Sequence, residues 1–148
     1  MNQTAIRHID TENELRACAA LMQQLRPHLT DDADFVSRVN RMRTQNYHVL
    51  AAFHEGRAVA LAGYRHQENL IYGRFIYVDD LVVDESERGA GWGAKLIEAL
   101  DVLARDAGCA KLVLDTGLGN ALAQRFYFRQ GLLTSAIRFS KTLGASAA

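Results

Sequence analysis

The chain has 148 residues, a length at which one domain buries about 68–70% of its unfolded surface and needs neither disulfide nor metal to hold a core. Apolar residues make up 49%, charged residues 23%, and there is one proline, which excludes a disordered or collagen-like chain. Seventeen Lys and Arg balance seventeen Asp and Glu, and zero net charge leaves counterion release little to act on, so nucleic acid is not an expected partner.

Taken in chain order, Ala5–Ile9 reads as a short strand. Thr11 followed by Glu14 is a capping box, and Leu15, Cys18, Ala19, Met22 and Leu25 recur at helical spacing until Pro27 ends the helix. A second helix starts near Thr30–Asp32, with Phe35, Val39 and Met42 on one side. Tyr47–Phe53 and Ala58–Arg65 are strand-like, joined by a hairpin turn at His54-Glu55-Gly56-Arg57. Arg74–Val83 is apolar on both faces, as a central strand should be. A charged stretch, Asp84–Arg88, and a glycine-rich one, Gly89–Gly93, lead into a helix marked by Leu96, Ile97, Leu100, Leu103 and Ala107 and ended by Gly108. Lys111–Leu114 is a short strand, Asn120–Gln130 a further helix ended by Gly131, and Leu132–Thr142 a final strand region. This order predicts one domain over residues 1–143, helices packed on a central sheet in an α/β or α+β fold, with 144–148 as a flexible tail.

Cys18 and Cys109 sit in apolar helical patterns and read as small buried hydrophobes. His8, His28, His48, His54 and His66 are scattered, without metal-ligand spacing, so no metal is expected. Met1-Asn2-Gln3-Thr4-Ala5 lacks the basic and apolar regions of a signal peptide. Apolar runs such as Ala58–Gly63 are far shorter than the ~18 residues of a membrane span, so a cytoplasmic protein with no membrane partner is expected.

The sharpest signal is Arg88-Gly89-Ala90-Gly91-Trp92-Gly93 between a buried strand and an amphipathic helix. A helix N-terminus offers unpaired N–H groups and about half a positive charge, and glycine lets the backbone come close to a phosphate. The plain alternative is a tight turn that uses glycine only for its geometry. Gly89, Gly91 and Ala94 also fit a dinucleotide fingerprint, with Asp115 as the ribose acid. Against that, five residues separate Val83 from Gly89, and the chain has no room for a second mononucleotide half.

Read as Arg88-x-x-Gly91-x-Gly93, the loop resembles the coenzyme signature of the GNAT superfamily of acetyl-CoA-dependent N-acetyltransferases. The likeness extends upstream through Tyr77-Val78-Asp79-Asp80-Leu81-Val82-Val83 and downstream to Phe126-Tyr127-Phe128-Arg129-Gln130-Gly131-Leu132. Ala90 stands where a Lys or Arg is frequent, and Leu132 where Phe is. The resemblance implies a mixed, mostly antiparallel sheet of six to seven strands flanked by about four helices, with acetyl-CoA as cosubstrate. It further implies a small-molecule or peptide amine as acceptor, and it admits a homodimer. A GNAT-shaped domain that binds acyl-CoA without turnover is the competing reading.

By the same resemblance, Leu81, Val82 and Val83 present backbone groups to the acetyl carbonyl and pantetheine arm. Arg88, Gly89, Ala90, Gly91, Trp92, Gly93 and Ala94 hold the diphosphate, and Asn120, Phe126 and Tyr127 line the coenzyme site. Tyr127 is the candidate general acid, because a phenol of pKa about 10 is protonated at neutral pH and can return a proton to a thiolate. Asp79 and Asp80, as strand neighbours, should point to opposite faces, with Asp79 beside Tyr77, Leu81 and Val83. Asp79 is the candidate base, though the gap between a free Asp and an alkylammonium is worth roughly 9 kcal/mol, so it needs burial, a neighbouring charge or a water relay. Holding the substrate ammonium, or a structural role, are its alternatives, and Tyr77 is a weaker candidate. Asn120 can equally be a plain helix cap. Arg129 reads as a complement to the helix dipole, with contact to a coenzyme phosphate as its alternative.

Overall fold

The computed structural model describes residues 5–144. Met1–Thr4 and most of the expected tail, 145–148, lie outside the described residues. Tertiary contacts divide the chain into two compact units, Met1–Asp115 and Thr116–Ala148.

The first unit holds strands β1 (Ala5–His8), β2 (Tyr47–His54), β3 (Arg57–Asn69), β4 (Gly73–Val83) and β5 (Lys111–Leu114), with helices α1 (Glu12–Leu25), α2 (Asp32–Arg43) and α3 (Trp92–Asp106). The strands lie in chain order, β1-β2-β3-β4-β5, the first four antiparallel and β5 parallel to β4 across α3. That topology has no pair of mononucleotide halves, which removes the dinucleotide reading.

Local signals account for most of these elements. Thr11 and Glu14 form the full capping box that starts α1, and Asp31 caps α2 through the Asp34 amide. Glu55 and Gly56 both adopt positive φ (52° and 79°), the two-residue turn whose twist suits a hairpin. Leu15, Cys18 and Met22 of α1 and Phe35, Val36 and Val39 of α2 form one core with Tyr47, Val49, Ala51, Leu61 and Val82. With a side-chain period of two, Leu50, Ala52, Ala60 and Ala62 belong to the other face, where α3 buries Leu96, Ile97 and Leu100 against β2, β3 and β4. The sheet is thus covered on both sides. Cys18 is in the core as expected, whereas Cys109 is only half-buried.

The second unit contains α4 (Ala121–Arg129), capped by the Asn120 side chain. The expected strand over 132–142 is absent among the described residues, and the sheet has five strands rather than six to seven. A strand exists only by pairing, and the second unit offers no other strand to pair with. Leu133, Ile137 and Phe139, which carry the period-two pattern, are exposed.

Candidate active site

The strand-to-helix loop is built to leave main-chain donors open. Asp84 caps a short 3₁₀ turn, Glu85–Glu87, and Arg57 ties Asp84 and Glu87 together at 2.8 Å each. Gly89 (φ 87°) and Gly91 (φ 83°) take left-handed backbone, which an L side chain adopts only with strain. Gly91 is the N-cap of α3, with no side-chain cap, and α3 has no acidic residue in its first turn, unlike α1 and α2. The amides of Gly89, Ala90, Gly91, Trp92, Gly93 and Ala94 meet no acceptor among the described residues. The space where Cβ atoms of Gly89 and Gly91 would stand is open. Such a bare, dipole-bearing turn suits an anion, as the unpartnered first N–H groups of an uncapped helix do.

Trp92 is buried beneath this turn, its ring 5.6 Å from that of His54, and both Trp92 Nε1 and His54 Nδ1 are buried without a hydrogen-bond partner. Lys95 Nζ sits 4.4 Å from the Trp92 ring centre, one turn into α3. Sequence reasoning missed this cation, although its three-residue spacing from Trp92 was the available signal.

Next to the loop, β4 is splayed. β5 pairs with Phe75–Val78 only, so Asp79–Val83 have no strand partner on that side. Tyr77 donates to Asp115 Oδ2 at 2.8 Å and pins the end of β5.

The register places the two carboxylates differently from the sequence expectation. Gly63 pairs with Asp80 and Tyr64 with Val78, so Asp79 is an extra residue, a β-bulge. Alternation breaks there, and Asp79 and Asp80 point to the same face. Arg65 Nε donates to both Asp79 oxygens at 3.0 and 3.1 Å, while Tyr47, the register partner of Arg65, donates to Asp80 Oδ2 at 2.6 Å. Leu81 and Val83 pair with Ala62 and Ala60, on the opposite face from Asp79. Arg26 closes the cluster, its Nε 3.0 Å from Asp80 Oδ1 and its Nη2 2.8 Å from the Asp79 carbonyl. Burial pushes the Asp79 carboxyl above its ordinary value, more than the Arg65 and Arg26 charges pull it down. Burial, then the Asp80 charge, drives the Tyr47 phenol far up, so Tyr47 acts only as a donor.

Gly63 makes this packing possible. A Cβ there would lie 1.9 Å from Tyr47 Oη and 2.5 Å from Asp80 Oδ2. Gly63→Ala should therefore cost about 3 kcal/mol by overpacking and displace the Tyr47–Asp80 bond. Chemical denaturation of the variant checks this, and wild-type stability would contradict it. A glycine inside a strand was the sequence signal for this close approach.

His8, His48 and His66 are not scattered but gather around Tyr64, with ring centres 5.4–6.1 Å apart. No group of three or more His, Cys, Asp or Glu among the described residues is placed to hold a metal. A cavity of about 550 Å³, lined by His66, Glu68, Arg74 and Cys109 among others, opens at the start of β4, the end of the strand away from the glycine loop. The open amides and the splay lie at the other end of β4 from this cavity. No helix of the described residues is long and apolar enough to cross a membrane.

In the second unit, Phe126 and Tyr127 meet edge to face at 5.4 Å, while Phe128 is exposed. Burial raises the Tyr127 phenol above its ordinary value. Asn120 accepts from the Ala123 amide at 3.1 Å, the geometry of a plain cap, and Arg129 stands in the last turn of α4.

Residues 10–132 match the family model described as Acetyltransferase (GNAT) family. Aminoalkylphosphonate N-acetyltransferase of Salmonella typhimurium is 29% identical over 139 residues, 93% of this chain and 90% of that protein. An acetyltransferase from Trypanosoma brucei has a similar structure (TM-score 0.79, 25% identity, 95% of this chain and 100% of that one). So does an aminoglycoside N-acetyltransferase solved with CoA (TM-score 0.82, 20% identity, 96% of each chain). The open turn and splayed strand therefore stand in a chain that belongs to the GNAT family of acetyltransferases, as an N-acetyltransferase.

Proposed function

We propose that the protein moves an acetyl group from acetyl-CoA to a primary amine by direct transfer in a ternary complex, as one domain spanning both units. The open main-chain cradle at Gly89–Ala94 carries this reading, since a coenzyme diphosphate is the anion it suits. Arg88, which makes no ion pair among the described residues, adds a charge at its entrance. Acetyl-CoA supplies an activated thioester carbonyl. Backbone groups of Leu81, Val82 and Val83 along the splay orient that carbonyl and polarise it.

Asp79 takes the proton of the acceptor ammonium, directly or through water, helped by the burial that raises its carboxyl toward the amine's range. Asp80 is less suited to that task, because Tyr47 and Arg26 each hold one of its oxygens and it is the more buried of the two, whereas the Asp79 oxygens share a single Arg65 N–H and keep lone pairs for the substrate. The amine nitrogen bonds to the acetyl carbon, the C–S bond breaks, and the Tyr127 phenol protonates the leaving sulfur. The relative matched over nine-tenths of its length is named for an aminoalkylphosphonate, so small amines bearing an anionic group are the acceptors to try first. Two free cysteines suit a reducing compartment, and the cytoplasm is our assignment.

Thermal shift with CoA and NADH, then thiol release from acetyl-CoA across an amine panel, tests the reading. CoA should raise the melting temperature, NADH should not, and at least one small amine should give stoichiometric thiol and acetylated product. Stabilisation by NADH alone, or no product with any amine, would overturn it.

A further inference from the structure

We propose that Arg26 is a positioning residue that locks the β4 bulge from the end of α1 and so sets where the backbone of Leu81–Val83 stands. The inference rests on the reading that this backbone receives the acetyl group.

Arg26 is itself firmly placed. α1 ends at Leu25, and Pro27 disfavours helical backbone at the residue before it. Arg26 takes φ −120° and ψ 74°, with its amide bonded to the Met22 carbonyl at 2.9 Å. From there its guanidinium reaches β4, more than fifty residues away in sequence, and grips two successive residues. Nη2 donates to the carbonyl of Asp79, the residue the bulge leaves out of the β3 ladder, and Nε donates to the Asp80 carboxylate. A planar fork bonded to both a carbonyl and its neighbour's side chain fixes the local twist in a way a flexible ammonium cannot. Asp80 is anchored on its other oxygen by Tyr47, and Gly63 opposite leaves the room for that bond.

Beyond Val78 the strand has no β5 partner, so the bulge and the β3 ladder decide the hydrogen-bonded pitch of Leu81–Val83, with Val82 packed in the core. A bulge that moves by one residue would turn every following side chain and amide to the other side. Arg26 prevents that slip. It thereby ties the α1–α2 connection to the strand that meets the thioester.

The same guanidinium acts on Asp79. The groups facing Asp79 are Arg65 of β3, Asp80 of β4, Tyr47 of β2, and Arg26, of which only the two arginines favour its carboxylate. Removing Arg26 leaves burial and the Asp80 charge less opposed. A base that must be ionised to work then loses activity at a higher pH than in the wild type.

Arg26→Ala and Arg26→Lys, made in the full chain, test this by hydrogen exchange, CoA binding and the pH profile of kcat/KM. In Arg26→Ala, exchange over Asp79–Val83 should speed at least about tenfold with α3 unchanged. Its kcat should fall about 10- to 100-fold, with the CoA Kd within about threefold of wild type. The acid limb should move to higher pH. Arg26→Lys should restore the acid limb, through its charge, but not the exchange protection, which needs the fork. Wild-type exchange over Asp79–Val83 in Arg26→Ala overturns the lock, and faster exchange with unchanged kcat overturns its role in positioning. Because exchange is read without turnover, a chain that acetylates nothing refutes the proposed function while the lock is still decided.

Discussion

Gly91→Glu should raise the Kd for CoA at least about a hundredfold while the melting temperature falls by no more than a few degrees. Gly91 is the uncapped N-terminus of α3, in left-handed backbone, with open amides on either side. A carboxylate there supplies the anion those amides lack, and it repels the diphosphate. At ~4 Å and an effective dielectric constant of ~20, one like-charge pair is worth about 4 kcal/mol, and the diphosphate carries more than one charge. The fold loses little, since the strain of left-handed backbone, about 1–2 kcal/mol, is partly offset by a negative charge at a helix N-terminus, about 0.3–1 kcal/mol. Gly91→Asn, neutral and tolerant of that backbone, separates strain from charge and should cost far less affinity. Calorimetric titration with CoA checks both variants, and unchanged affinity in Gly91→Glu would remove the cradle from the mechanism.

Tyr127→Phe should lower kcat about 100-fold and leave CoA affinity at the wild-type level. Burial raises the phenol, so its proton stays on through neutral and mildly alkaline pH. The wild-type rate should therefore hold through the ordinary phenol range and fall only beyond it, and the phenylalanine variant should lack that decline. An acetyl thioester of a more acidic thiol needs no proton on leaving and should react almost equally with both enzymes. Single-turnover thiol release with the two donors reads this directly, and wild-type turnover of acetyl-CoA by the variant would exclude Tyr127 as the acid.

The parts of this molecule that were legible in the sequence are those decided within a few residues. The α1 capping box, the Glu55-Gly56 hairpin and the glycine turn before Trp92 all depend on local backbone preference, and each stands where it was expected. The Asp79 bulge was not legible, because no residue near Asp79 creates it. Its contacts come from Arg26, Tyr47, Gly63 and Arg65 on three other elements, and alternation counted along β4 alone puts Asp80 on the wrong face. The gathering of His8, His48 and His66 was missed for the same reason, since strand register decides it. The region 132–142 failed in the opposite sense, with a strand-like pattern locally and no pairing edge within its own unit. In β3, the stretch His66–Asn69 is strand although it is polar, held by its ladder to Gly73–Ile76 rather than by burial.

The contrast between the two cysteines has a practical side. Cys18 lies in the core, where burial pushes its thiol up to about 11, so at neutral pH it is neither ionised nor within reach of an alkylating dye. Cys109 is half-buried beyond the C-terminal end of α3, whose 15 residues set it about 22 Å from the glycine turn. A single fluorophore can be attached there without engineering, at a distance suited to resonance energy transfer from a nucleotide analogue in the cradle.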